Sequence, residues 1–463
     1  MMDGFIGRGR ELRVLEDAWD APRSGFVPIY GRRRVGKSEL ILHFLCHKPA
    51  IYYLGKKAPA GLQIREFLKT AAGVLEEPLL ATFPASGWSE AIEEVVKRWP
   101  AGSRIALVFD EFQWIVKASP ELPSILQEKW DRDWQHSGGV LLILCGSYVG
   151  FMEREVLGRR SPLFGRRTAQ ILLRPFDYRE AADFHPRYSL VDRARTYFVC
   201  GGIPFYLRLF SDRRSFEMNL AAQVLDEYAA LYREPDFLLR EELREVESYY
   251  AVLLAVAGGH TAAADIARIS GIGPGSLPYY LKQLMELGYV TRRYPLTGEG
   301  QNPRNVRYDL GDPLLRFWFR FVFPEQSQVR RMGPERALRE RVKPRLDAYF
   351  GRCFERLCRE ALPQLYEREG VEAAFEIGEY WSPETQIDVV ALRNDGWTDL
   401  GECKWGTVGS AIDVERQLGK KAKLYPNRRN ATLGLRVFAR RQRPGRRSTT
   451  TDVRWHSLEE LYG

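Results

Sequence analysis

The sequence predicts an α/β protein of several domains, and three observations carry that reading. Over residues 1–175, short apolar runs of strand length alternate with segments of helical spacing. A glycine-framed basic loop, "YGRRRVGKSE" at 30–39, lies between the apolar run "FVPI" and the helical "SELILHFLCH". Towards the other end, "QIDVVAL" and "TDLGECKW" read as strands whose acids and lysine a buried sheet must pair or use. At 463 residues the chain exceeds a single hydrophobic core.

Composition narrows the classes. With 45% hydrophobic and 28% charged residues the chain is an ordinary folded protein, not a disordered one. A net charge of +9 favours a polyanionic partner without requiring one. The six cysteines form no CxxC pair, and Cys353 and Cys358 have no histidine nearby; buried thiols of a reducing cytoplasm are expected, not a zinc site. "MMDGFIGRGRELRVLEDAWD" lacks the apolar stretch of a secretory signal, and "VLLILCGSYVGFM" is too short to span a bilayer. The expectation is a cytoplasmic protein with no membrane partner.

Taken in order, "GRELRVLEDAWD" sets Leu12, Leu15 and Trp19 at helical spacing. "FVPIYG", "AIYYLG", "RIALVFDE" and "GVLLILCGS" are apolar on both faces, as buried parallel strands are. Residues 176–242 are mostly helical, broken by "GGIP" at 201–204. Residues 243–330 run helix, turn, helix, then a hairpin from "YVTRRYPLT" and "NVRYDLGD". A basic, proline-marked helix, "GPERALRERVKPRL", follows, and residues 346–463 read helix–strand–strand–strand–helix–strand.

Gly31, Gly36, Lys37 and Ser38 satisfy G-x-x-x-x-G-K-[ST] between a strand and a helix. The glycines let the backbone wrap so that its N–H groups face a phosphate, and the helix adds its positive end. Gly31, Arg34, Val35, Gly36, Lys37 and Ser38 are therefore candidate nucleotide contacts, with Lys37 neutralising the β and γ phosphates and Ser38 holding Mg²⁺. "RIALVFDEFQW" ends a strand in Asp110 and Glu111, where one carboxylate holds Mg²⁺ through water and the next activates the attacking water. Ser147, at the tip of another strand, either reports on the γ-phosphate or caps the next helix. Arg166, in "SPLFGRRT" with Arg167, either stabilises transition-state charge or makes a surface salt bridge.

Together "FIGRGREL", "YGRRRVGKSEL", "LVFDEFQW", "LLILCGSYVGFM", "PLFGRRT" and "GGIPFYL" resemble the prokaryotic ATPase family, best known in archaea, within the AAA+/STAND group of P-loop proteins. The resemblance covers about residues 1–240. It implies a P-loop NTPase parallel sheet over 1–175, ATP as the nucleotide, Phe5, Gly7 and Arg8 near the adenine, and a helical lid over 176–242.

In the next module Ala264, Ile266, Ile269, Leu277, Leu281, Leu284 and Leu287 fall at core spacings on two helices joined by "SGIGPG". This resembles a winged helix-turn-helix over 243–330, with Arg292, Arg293, Arg304 and Arg307 exposed on the wing and Tyr279 and Lys282 facing a DNA groove. The same surface also serves, in other proteins, to pack neighbouring domains.

The last module holds the second constellation. A hairpin through "NDG" brings Asp388 beside Glu402, and Glu402 and Lys404, two apart, share a strand face. Two converging carboxylates attract a hard divalent cation, Mg²⁺ or Mn²⁺, and the lysine orients or activates water. Glu355 is an available upstream acid. The pattern resembles the PD-(D/E)XK nucleases, an α/β restriction-endonuclease-like fold over 331–463, although Ile387 stands where the motif has proline. "AIDVERQLGKKAKLYP" is the expected following helix, with Gln417 and Tyr425 towards the strands. Residues 420–454 carry twelve Lys/Arg against Asp452, which suits phosphate-backbone contact.

The combined expectation is an ATP-binding and ATP-hydrolysing protein acting on DNA. Glu111, Arg166, Asp388, Glu402 and Lys404 are its catalytic candidates, and Ser38, Asp110, Asp388 and Glu402 its metal ligands. The alternative is a STAND-like switch in which ATP drives a nucleotide-dependent assembly of copies and the C-terminal domains bind DNA or protein without cleavage.

Overall fold

The computed structural model describes residues 5–442, apart from 101, 301, 303 and 304, and residues 453–463. The chain divides into two compact units, Met1–Pro175 with Ile203–Phe205, and Phe176–Gly202 with Tyr206–Gly463.

Five strands form the sheet of the first unit: β1 Gly25–Tyr30, β2 Ala50–Leu54, β3 Ile105–Asp110, β4 Val140–Gly146 and β5 Ile171–Leu172. They run parallel in the order β2-β3-β4-β1-β5. Every residue of β1, β3 and β4 is buried, which explains their unbroken apolar character. One face is covered by an aromatic cluster in which Phe67 lies 5.4 Å from Trp88 and 5.7 Å from Phe109. Because the strands are parallel, the loops after β1 and β3 leave at the same carboxyl edge, where α/β sheets bind their ligands.

In the second unit the segments 176–202 and 206–242 are mostly helical. They pack on later elements of the same unit: Tyr232 O accepts from Trp318 Nε1 at 2.6 Å, and Phe198 O from Tyr349 Oη at 3.2 Å. The "GG" of the break has a steric reason, since a Cβ on Gly202 would fall 1.8 Å from Phe176 O. Helices Val246–Ala257, Ala263–Ser270 and Leu277–Glu286 are followed by the antiparallel pair β6 Val290–Arg293 and β7 Arg307–Leu310. Ile266, Ala267, Leu277, Leu281 and Leu284 are buried, whereas Ala264 and Ile269 are exposed, contrary to expectation. Ile266 and Ala267 set the inward direction of their short helix, and positions 264 and 269 lie round the cylinder on either side.

A 26-residue helix, Lys343–Arg368, leads into a mixed sheet of order β12-β11-β10-β9-β8. β9 Gln386–Arg393 runs antiparallel to both of its neighbours, β8 Phe375–Trp381 and β10 Trp397–Lys404. Helix Ala411–Leu424 then crosses over to β11 Thr432–Ala439, parallel to β10, and β12 Val453–Ser457 is parallel to β11.

The β6–β7 connection does not stand free. Pro295 bridges to Glu379 of edge strand β8, Leu296 N–H donates to Glu379 O at 2.8 Å, and Leu296 packs with Ile387, Val390 and Tyr425. The unpaired edge is thereby covered. Arg292 is exposed, but Arg293 turns inward to Asp309 at 3.1 Å and Glu379 at 2.5 Å, and Arg307 lies 4.6 Å over the Trp381 ring. Arg304 lies outside the described residues. Within the basic run, Arg436 is only 1% exposed, because Glu369 and Asp399 draw it inward. Residues 443–452, including Asp452, lie outside the described residues. No helix among the described residues is long and apolar enough to cross a membrane.

Candidate functional sites

The glycine loop joins the carboxyl end of β1 to helix Lys37–Phe44. Gly31 cannot carry a side chain, since a Cβ would sit 2.3 Å from Leu173 O; Arg34 and Gly36 turn through positive φ of 65° and 90°. Lys37 is buried and donates from Nζ to Gly31 O and Arg32 O, each at 2.9 Å, which holds the ammonium in the bowl of the loop. Burial pushes its pKa below the ordinary lysine range. Val35 O accepts from Arg8 Nη2 at 3.1 Å, and Phe5 stacks 3.9 Å from His43, so the N-terminal segment braces the loop and the helix after it. Arg34 lies 4.3 Å over the Phe205 ring.

Asp110 ends β3 and is 1% exposed. Its Oδ2 accepts from Ser38 Oγ at 2.6 Å and from the Tyr52 hydroxyl, and its Oδ1 from Glu111 N–H at 2.8 Å. A hydroxyl and a carboxylate in contact at the foot of a phosphate loop form an oxygen donor set that suits Mg²⁺. Glu111 follows at φ 50°, and its Oε2 accepts from Ser147 Oγ at 2.9 Å and from Gln113. Ser147 therefore touches Glu111. Tyr52 escapes a reading by motif, because it meets Asp110 only across the sheet, from β2 to β3; Gln113, two residues after Glu111, carries no signal of its own in the run.

Arg166 does not join this group. It forks onto Asp131, with Nε and Nη2 each 2.7 Å from a carboxylate oxygen. Two residues on, Thr168 N–H bonds Phe26 O, near the start of β1, which places this segment at the amino edge of the sheet, away from the glycine loop. Of the two roles weighed for Arg166, the structure shows the salt bridge.

In the second unit, β9 and β10 pair through Gly401↔Val389, a register that sets Glu402 directly across from Asp388. Opposed residues of an antiparallel pair share a face. The three-residue turn 394–396, with Gly396 at φ 85°, fixes that register. Asp388 and Glu402 are 8% and 5% exposed. Asp388 Oδ2 accepts from Cys403 N–H at 2.9 Å, and its backbone O accepts from Arg359. Glu402 takes Lys404 Nζ on Oε1 at 2.8 Å and Lys421 Nζ on Oε2 at 2.6 Å. Burial, then the neighbouring carboxylates, hold the pKa of Asp388 and of Glu355 on the long helix above the ordinary range, Glu402 acting on Asp388 and Asp388 on Glu355. Among the described residues no group of three or more His, Cys, Asp or Glu is gathered as a metal site.

Lys421, Arg359 and Glu379 were not singled out by sequence. Lys421 has a retrievable signal: it sits one turn after Gln417 in the helix Ala411–Leu424. Gln417 itself is exposed, while Tyr425 is buried against Tyr380 at 5.2 Å.

Residues 5–210 match a family described as an ATPase domain predominantly from Archaea, and residues 318–416 match one of Archaea bacterial proteins of unknown function. An uncharacterized protein of Methanocaldococcus jannaschii is 30% identical over 426 residues, 91% of this chain and 92% of its own length. The chain belongs to the same family as that archaeal protein. Within this family the chain carries a P-loop ATPase domain that binds ATP. An uncharacterized ATP-binding protein of the same organism is 46% identical over 44 residues, 10% of this chain and 75% of its own. A Walker-type ATPase of Pyrococcus abyssi shares the fold, with a TM-score of 0.51 and 21% identity over 68% of this chain and 96% of its own.

Proposed function

We propose that this archaeal-family ATPase acts on DNA and that its C-terminal module is a metal-dependent nuclease. The observation that carries the reading is Glu402 set across from Asp388, with Lys404 on the same strand at 2.8 Å. Two buried carboxylates side by side are costly unless a cation is shared between them. Here the ammoniums of Lys404 and Lys421 balance Glu402, and a divalent ion would balance both carboxylates at once. Asp388 and Glu402 would hold it, and when bound it would supply Lewis acidity towards a phosphodiester. Lys404 would hold and orient water beside the pair. The net charge of +9 and the basic run at 420–454 support DNA as the polyanion bound.

At the other site, Lys37 and the loop amides would cradle the phosphates of ATP, Ser38 and Asp110 would hold Mg²⁺, and Glu111 would orient the attacking water. The expected result is Mg²⁺- or Mn²⁺-dependent cleavage by the full chain that is lost in Asp388→Ala and Lys404→Ala. One observation favours the second reading, a switch that binds without cutting: Glu402 is already neutralised by two lysines. An ATP-dependent change of mass by light scattering, with no cleavage of duplex, single-stranded or branched DNA, would establish that reading instead.

A further inference from the structure

Five arginines and one aspartate line a pocket of about 320 Å³ that opens on the surface of the second unit. Asp309 comes from β7, Arg316 and Arg320 from the helical run after it, and Arg345, Arg352 and Arg356 from the Lys343–Arg368 helix. The 345, 352, 356 spacing puts those three on one helix face.

The lone carboxylate is already committed. Asp309 pairs with Arg293 at 3.1 Å and with Arg356. Arg345 turns partly outward to Glu325 at 3.4 Å. Arg316 donates from Nη2 to Leu310 O at 2.6 Å and from Nη1 to Cys353 Sγ at 3.6 Å, while its buried Nε has no hydrogen-bond partner. Arg320 reaches Gly258 O at 3.3 Å. Among the described residues Arg352 has no ion-pair partner; its guanidinium lies beside Gly259, where a Cβ would meet Nη1 at 3.3 Å.

Cations crowded in this way repel one another. Burial, then Arg345 and Arg352, lower the pKa of Arg320; burial, then Arg316, push Arg356 down to about 10. Arg345 and Arg352 are exposed at the mouth, where solvent screens part of this repulsion, and an entering anion would offset the rest. Guanidinium forks match phosphate oxygens two at a time. The volume lies at the low end of the roughly 300–1,000 Å³ of small-molecule pockets and is too small for a duplex. Pro344 and Tyr349 supply apolar wall for the rest of a ligand.

We propose that this cavity binds a small phosphorylated anion, with Arg316, Arg320, Arg352 and Arg356 as the donors. The inference is independent of the nuclease reading. Tripolyphosphate serves as the probe, and the full chain carrying Lys37→Ala as the protein, so that the glycine loop does not compete. At fixed ionic strength the probe should raise Tm by several degrees and bind at one equivalent by calorimetry. Arg320→Ala with Arg352→Ala should weaken binding at least tenfold. Arg320→Lys with Arg352→Lys, which keeps the charge and protects the fold, should still weaken it several-fold because the forks are lost. No Tm rise, an equal rise in the double-alanine variant, or an equal rise with sodium chloride at matched ionic strength would overturn the assignment. One-for-one displacement by duplex DNA would overturn it too, by making the arginines part of a nucleic-acid surface.

Discussion

His456 shows how one buried group makes the stability of this fold pH-dependent. Its ring is 7% exposed, stacks 5.2 Å from Phe438, and holds Nε2 3.0 Å from Arg436 Nη1, so that nitrogen must accept and the ring must be neutral. Burial, then Arg436, push its pKa down to about 4. Because the folded value lies below the unfolded one, the unfolded chain takes up a proton first as the solution is acidified. Stability is therefore complete above about pH 6.5 and falls between there and about pH 4, by on the order of 3 kcal/mol. His456→Gln should flatten that part of the curve in urea melts at pH 7, 5.5 and 4; an unchanged slope would refute the assignment. At the first site, Lys37→Ala should abolish nucleotide binding, whereas Asp110→Asn should keep it and lose its Mg²⁺ dependence, both read by fluorescent-nucleotide titration. Lys37, Ser38 and Asp110 could be picked from the sequence because each stands in a local pattern at a strand end. Arg166 could not be resolved that way: its partner Asp131 is 35 residues distant, and no spacing rule links them.

At the scale of elements, the loop after β1 has no slack. Gly31 has φ 154° and its Cβ position lies 2.3 Å from a backbone oxygen, which cannot rotate away. Gly31→Ala should displace the loop, lower nucleotide affinity more than tenfold and lower Tm, while an alanine at exposed Gly275, where nothing lies within 4 Å, should do neither. The parallel sheet was legible because both faces of its strands are apolar, and the β9–β10 hairpin because "NDG" fixes a turn. The docking of Pro295 and Leu296 on β8 was not legible, since it depends on Leu296 meeting Tyr425 and on Glu379 facing Arg293, contacts 86 or more residues apart. Leu296 is half-buried, so Leu296→Ala should cost about 1–2 kcal/mol, at the low end for a leucine truncation, without altering nucleotide affinity. Denaturant titration against a nucleotide titration of the same variant checks both halves of that statement.

At the scale of the molecule, the two candidate sites belong to different compact units: the glycine loop to Met1–Pro175 with its short return Ile203–Phe205, and the carboxylate pair to the remainder. A ligand stabilises only the cooperative unit whose folded state holds it, by RT ln(1 + [L]/Kd). Calorimetry of the full chain should therefore resolve two transitions. An unreactive ATP analogue with Mg²⁺, at about a hundred times its Kd, should raise one of them by an amount equivalent to roughly 2.7 kcal/mol. Mn²⁺ without nucleotide should raise the other, and Asp388→Asn should remove that second shift while leaving the first. A single transition moved by both ligands would mean that the units unfold as one, and each site would then report on the other. That outcome would put the energy for coupling ATP to the C-terminal module in the fold itself. Two independent transitions would require ATP turnover or a bound partner to supply it.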